Sequence, residues 1–173
     1  MKVLLTPYSP SWPRDFAAEK LFLQEHVSLP IRIEHIGSTS VDGLCAKPII
    51  DILIGVADES QLDIPVPEIQ NLGYQYISRY EDVMPYRRFF TKEKNSVRTH
   101  QIHMVAYKST FWIRHLQFRD YLRAHSEIAE EYAALKRQLA EQDWESVNDY
   151  ADAKTDFIRR IEAAAKNFDI EQY

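Results

Sequence analysis

Hydrophobic and polar positions change period along this 173-residue chain, and the changes predict its elements. From Trp12 to Val27, Phe16, Lys20 and Leu23 keep helical spacing with Trp12, and Pro13 suits a first helical turn. After Pro30 the period shortens to two. Ile31-Arg32-Ile33-Glu34-His35-Ile36 alternates as a half-buried strand does and runs into the polar turn Gly37-Ser38-Thr39-Ser40. Pro48 to Val56 (PIIDILIGV) is an apolar run interrupted only by Asp51 and Gly55, the pattern of a strand buried on both faces. Asp58 to Leu72 reads as a helix broken around Pro65 and Pro67 and stopped by Gly73. Tyr74 to Tyr80 and Arg87 to Lys92 are aromatic-rich strand candidates. A polar turn at Glu93-Lys94-Asn95-Ser96 leads into a further strand, Thr99 to Tyr107. In that strand Ile102, Met104 and Ala106 share one face, and Gln101 and His103 the other.

From about Ser109 the period becomes helical and stays so. Leu116, Tyr121 and Leu122 mark one helical pattern, Ile128, Tyr132, Leu135 and Leu139 a second, and Val147, Tyr150, Lys154, Phe157, Ile158 and Ile161 a third. Strands followed by helices predict an α+β protein, with a mixed α/β core over residues 1–108 and a helical region over 109–173 packed on it as one unit.

Composition narrows the class. Hydrophobic residues make up 45% and charged residues 27%, which excludes a disordered chain. The single Cys45 cannot form an intramolecular disulfide and fits a reducing compartment. The opening MKVLLTPYSP has too short an apolar run for a signal peptide, and no stretch nears the ~20 apolar residues of a membrane span. A cytoplasmic protein with no membrane partner is expected. The net charge of −5 argues against a nucleic-acid-coated protein but leaves room for a local basic groove.

Asp51 is the residue most out of place, a carboxylate inside an apolar strand. It needs a hydrogen-bond partner, a cation or a solvated cleft. The Gly37-Ser38-Thr39-Ser40 turn fits either a helix cap or a phosphate cradle, because glycine admits close approach and hydroxyls reach phosphate oxygens. It matches neither GxxxxGK[ST] nor GxGxxG. His35 is placed to orient the turn. Among the cations, Lys47 precedes the Asp51 strand, Arg87-Arg88 opens another, and Arg119 and Arg123 share a helical face. The arginines are either solvated and salt-bridged or, if the helical half covers the core opening, a phosphate-binding wall of Arg88, Arg119 and Arg123. The charges between Glu127 and Asp143 read as a solvated helix face, and His103 as either a structural or a site histidine.

Strand, Gly-Ser turn, short helix and an acidic second strand follow in the order of the nucleotidyltransferase superfamily. The run IEHIGSTSVDGLCAKPIIDILIGV resembles the signature of the GrpB family more narrowly. The resemblance continues through Leu72-Gly73-Tyr74, Arg87-Arg88-Phe89-Phe90, His100-Gln101-Ile102-His103, the segment Phe118 to Arg123, and Tyr150 to Ile158 with Lys154. It implies a polymerase-β-like mixed sheet with a helical carboxyl half. It also implies phosphate binding at Gly37, Ser38 and Thr39 and a divalent metal on Asp51, with His103 either as second ligand or as the group that positions the acceptor. Mg²⁺ or Mn²⁺ is expected ahead of Zn²⁺. Lys47, Arg88, Arg119 and Arg123 would neutralise phosphate charge. The sequence departs from the superfamily's paired acids at Leu53, which stands where the second belongs. The activity implied is metal-dependent transfer of a nucleotidyl group from an NTP to a small acceptor, with Asp51 and His103 in the catalytic roles. The alternative is a nucleotide- or phosphoester-binding module without turnover, a CoA-pathway ligand being one possibility.

Overall fold

The computed structural model describes residues 1–170. Five strands form one mixed sheet: β1 (Arg32–Ile36), β2 (Ile50–Val56), β3 (Gln75–Tyr76), β4 (Arg88–Lys94) and β5 (Val97–Ala106), in the order β1-β2-β5-β4-β3. β5 is central, and its neighbour β2 pairs antiparallel with β1 and parallel with β5. Asp51 therefore lies opposite Ile36 on one side and Gln101 on the other. β4 and β5 form a hairpin whose turn residues Asn95 and Ser96 take positive φ, as a tight hairpin turn requires.

Helix α1 (Ser11–His26) and α2 (Val66–Asn71) cover one face of the sheet. Leu23, Ile33, Ile52, Ile54, Phe90, Ile102 and Met104 form the largest core there. On the other face α3 (Thr110–Ala124) lays Phe111, Trp112 and Leu116 over Ile36, Leu53 and Val105. Trp112 sits so close to Gly55 that a Cβ there would meet its ring at 2.7 Å. The remaining helices are α4 (Ser126–Ala140), α5 (Val147–Asp152) and α6 (Thr155–Ala165). α3, α4 and α6 bury Leu122, Ala129, Tyr132, Ala133 and Ile161 against Val41, Leu44 and Cys45, the segment joining β1 to β2, while Tyr150 of α5 packs with Val3 and Leu139. The helical half is thereby fastened to the loop that carries the Gly-Ser turn.

Two elements differ from the sequence pattern. The helix expected over 58–72 becomes a 3₁₀ turn at Glu59–Gln61 and the short α2, because Pro65 and Pro67 fit only a helix's first turn. The strand expected over 74–80 pairs only at Gln75–Tyr76 before a 3₁₀ turn at Ser78–Tyr80. It is an edge strand, where alternation is not reinforced by a second neighbour.

Candidate functional site

The site begins with a conformation that only glycine adopts easily. Gly37 has φ 74°, in the left-handed region, and turns the chain from β1 into the 3₁₀ turn Ser38–Ser40. The Asp51 side chain occupies the space a Cβ at Gly37 would need, since that Cβ would lie 2.5 Å from Asp51 Oδ2. The carboxylate thus rests against the turn rather than among packed side chains, and is 26% exposed. Gln101, in the amide orientation that satisfies both its ends, donates to Asp51 Oδ1 at 3.0 Å and accepts from Arg98 at 3.2 Å. His103 Nε2 stands 3.7 Å from the same oxygen. Arg87 is 3.3 Å from His103 Nδ1 and has only donors to offer, so in the neutral ring Nδ1 accepts and Nε2 carries the proton towards Asp51.

The turn is braced from behind. Thr39 Oγ1 donates to the Ile49 carbonyl at 3.3 Å and lies 2.9 Å from His35 Nε2, which accordingly donates to it. His35 is buried and stacked on Phe16 with ring centroids 4.6 Å apart. Burial, and then the nearby Arg123 and Arg119 charges, push its pKa down to about 3, so it stays neutral and holds Thr39. Ser40 Oγ donates to the Gly37 carbonyl.

In front of the turn lies a cavity of about 220 Å³ lined by Ser38, Thr39, Lys47, Asp51, Gln101, Lys136, Tyr150 and Lys154, with Leu5, Ala46 and Ile49. Lys136 is 3% exposed. Its ammonium donates to Ser38 Oγ at 2.6 Å and to the Cys45 carbonyl at 2.9 Å. Lys47 and Lys154 place their ammonium groups over the Tyr150 ring, 4.9 and 4.4 Å from its centroid. The three cations oppose one another. Burial and then Lys154 bring Lys136 down to about 7, while burial and then Lys47 bring Lys154 down to about 8. Lys47 is lowered too, by burial and then Arg98. The Tyr150 hydroxyl is buried with no hydrogen-bond partner among the described residues.

Gly37, Ser38, Thr39, Lys47 and Asp51 therefore converge on one place. The arginines do not. Arg88 points to the opposite face of the sheet, where it donates to Asp63 at 2.7 Å and neighbours Glu81 at 3.6 Å. It shares register with Met104, whose side chain lies in the α1 core. Arg119 is buried, tying α3 to β1 through Glu34 at 2.6 Å and the His35 carbonyl at 3.1 Å, with Asp120 at 2.7 Å. Arg123 donates to the Ser40 carbonyl at 2.9 Å, behind the turn. A phosphate wall of Arg88, Arg119 and Arg123 is not formed. Lys136 and Lys154 line the cavity instead.

Neither lysine stands in a motif that marks it as cavity-lining. Lys136 lies in a segment read as a solvated face, yet it sits on the buried stripe of α4 with Ala129, Tyr132, Ala133 and Leu139. Its spacing of four from Tyr132 was the available signal. Lys154 stood within an apolar helical pattern, which was the same kind of signal.

A resident divalent ion does not fit the residues present. Among the described residues Asp51 is the one carboxylate lining the cavity, which three lysines also line. Among the described residues no three His, Cys, Asp or Glu side chains are grouped to hold a metal. Leu53 is fully buried under α3, so the second acid's position is sealed from the cavity.

Comparison with known proteins places this architecture. The family model described as GrpB protein matches residues 2–164. The chain belongs to the GrpB family. A UPF0157 protein of Halalkalibacterium halodurans is 37% identical over 92% of this chain and 80% of its own. The crystal structure of the conserved protein GrpB from Enterococcus faecalis superposes with a TM-score of 0.84 at 37% identity, covering 94% of this chain and 96% of that one. The Cid1 poly(U) polymerase, in a structure with MgGTP bound, gives a TM-score of 0.53 at 13% identity over 79% of this chain and 45% of that one. At that identity the likeness concerns the fold alone, and this GrpB-family chain has a nucleotidyltransferase-like α+β fold. No helix among the described residues is long and apolar enough to cross a membrane.

Proposed function

We propose that this GrpB-family protein binds a nucleoside triphosphate by its phosphates and transfers the nucleotidyl group to a small acceptor. The observation that carries the reading is the apposition of the Asp51 carboxylate to Gly37, at a cavity that also presents Ser38. Ser38 donates to a phosphate oxygen, and Lys47 and Lys154 offset the phosphate charge. The acceptor hydroxyl attacks the α-phosphorus in line. Its proton passes to Asp51, the bond from the α-phosphorus to the bridging oxygen breaks, and pyrophosphate leaves with the electron pair. His103 and Gln101 hold the carboxylate in its orientation, and positioning with electrostatic stabilisation supplies the rate.

A second reading, phosphoester binding without turnover, is favoured by the sealed Leu53 position. Melting temperature against NTPs, dephospho-CoA and CoA separates the two, because a ligand of the native state raises it by mass action. Transfer predicts a shift with an NTP and pyrophosphate release that Asp51→Asn abolishes while the shift persists. A shift with no release under any acceptor tried supports binding alone. No shift across the panel refutes both.

A further inference from the structure

The cavity gathers more positive charge than its surroundings balance. Lys47, Lys136 and Lys154 all line it, and among the described residues no ion pair within 4.0 Å joins any of them to a carboxylate. The neutral contacts of Lys136, Ser38 Oγ and the Cys45 carbonyl, solvate its ammonium without cancelling its charge. Lys136 is buried and Lys47 and Lys154 are half-buried, so holding these like charges together costs free energy, and that cost falls when a polyanion enters. The unpartnered Tyr150 hydroxyl in the same wall points the same way, as a buried donor that the protein itself leaves unused. Size limits the occupant. The cavity of about 220 Å³ is smaller than the roughly 300–1,000 Å³ typical of sites that enclose a drug-sized ligand. It takes a compact phosphate chain and leaves a nucleoside outside.

Resting on the nucleotide reading above, we propose that Lys47, Lys136 and Lys154 form a polyphosphate site that works without a divalent cation, their ammonium groups supplying the countercharge. Recognition is of the phosphate tail, not the base. The groups facing Lys136 are Ser38, Cys45, Asp51, Lys47, Tyr132 and Lys154. Asp51 is the one carboxylate in that set. An arriving phosphate chain therefore raises the proton affinity of Lys136, and binding near neutral pH takes up a proton.

Titration calorimetry with inorganic tripolyphosphate, ATP, UTP and adenosine, each in EDTA and in Mg²⁺, tests this. Tripolyphosphate and both nucleotides should bind in EDTA with similar affinity, and adenosine should not bind. Lys154→Met and Lys47→Met should each weaken tripolyphosphate by roughly ten-fold or more, the loss of one charge-assisted contact. Their circular dichroism and melting curves check that they fold. At pH 7 the observed heat should change with the buffer's ionisation enthalpy in the direction of proton uptake. Binding seen only with Mg²⁺ overturns the metal-free site and leaves the nucleotide reading standing. Equal affinity in folded Lys154→Met, or adenosine binding as well as ATP, also overturns it. No binding in either condition removes both.

Discussion

Replacing Lys136 with methionine should stabilise the protein at neutral pH and progressively less as pH rises. The lysine is 3% exposed, and burial followed by the Lys154 charge lowers its pKa from 10.5 to about 7. Between those values the unfolded chain carries a proton that the folded one lacks, so native stability rises with pH across that window. Below pH 7 both states are protonated and the penalty is fully present. Each pKa unit corresponds to about 1.4 kcal/mol, so the penalty is on the order of 5 kcal/mol at most, and local relaxation reduces it. Methionine keeps the aliphatic stem among Ala129, Tyr132, Ala133 and Leu139 and removes the ammonium. It forfeits the bonds to Ser38 and the Cys45 carbonyl, at about 1–3 kcal/mol for the acceptors left behind. Urea unfolding of both proteins at half-unit intervals from pH 6 to pH 10 gives the difference directly. Lys154, lowered to about 8, and Lys47 titrate over an overlapping range in both proteins, so most of their contribution cancels in the difference. The advantage of Lys136→Met over wild type should shrink by about 1 kcal/mol or more per pH unit above pH 7. A difference that stays flat from pH 7 to pH 9 would refute the claim that this ammonium is desolvated and uncompensated.

Three further outcomes follow from the geometry. Gly37→Ala should lower the melting temperature and abolish pyrophosphate release, because its Cβ meets Asp51 Oδ2 at 2.5 Å at a φ of 74° that alanine resists. Unchanged release would mean that Asp51 does not need the turn. Arg119→Met should cost about 3–5 kcal/mol in denaturant unfolding, since it breaks the buried ion pair that ties α3 to Glu34 of β1, whereas a phosphate-wall role would cost affinity at unchanged stability. Acid should destabilise the protein through His35. Its folded pKa of about 3 lies below the ordinary 6.5, so stability drops as pH falls from 6.5 towards 3, and His35→Gln should show a shallower decline over that window in thermal melts.

Much of the architecture was legible from period alone. β1, β2 and β5, the Gly-Ser turn, the hairpin turn and the helical carboxyl half all stand where alternation or helical spacing put them, because those elements bury a regular face. The weaker readings were segments without such a face, the proline-broken stretch before α2 and the edge strand β3. Gly37, Ser38 and Asp51 were also readable, since they are local and a carboxylate within PIIDILIGV is conspicuous. The charges around them were not. Arg88, Arg119 and Arg123 look on paper like phosphate ligands, yet they bind Asp63, Glu34 with Asp120, and the Ser40 carbonyl. Lys136 and Lys154 look like surface charge and like an interruption of an apolar stripe, yet both line the cavity. A one-dimensional pattern sets which face of an element is buried. Which element that face meets depends on packing between segments about 100 residues apart, such as Ser38 and Lys136, and this packing decides whether a buried cation finds a carboxylate or faces a cavity.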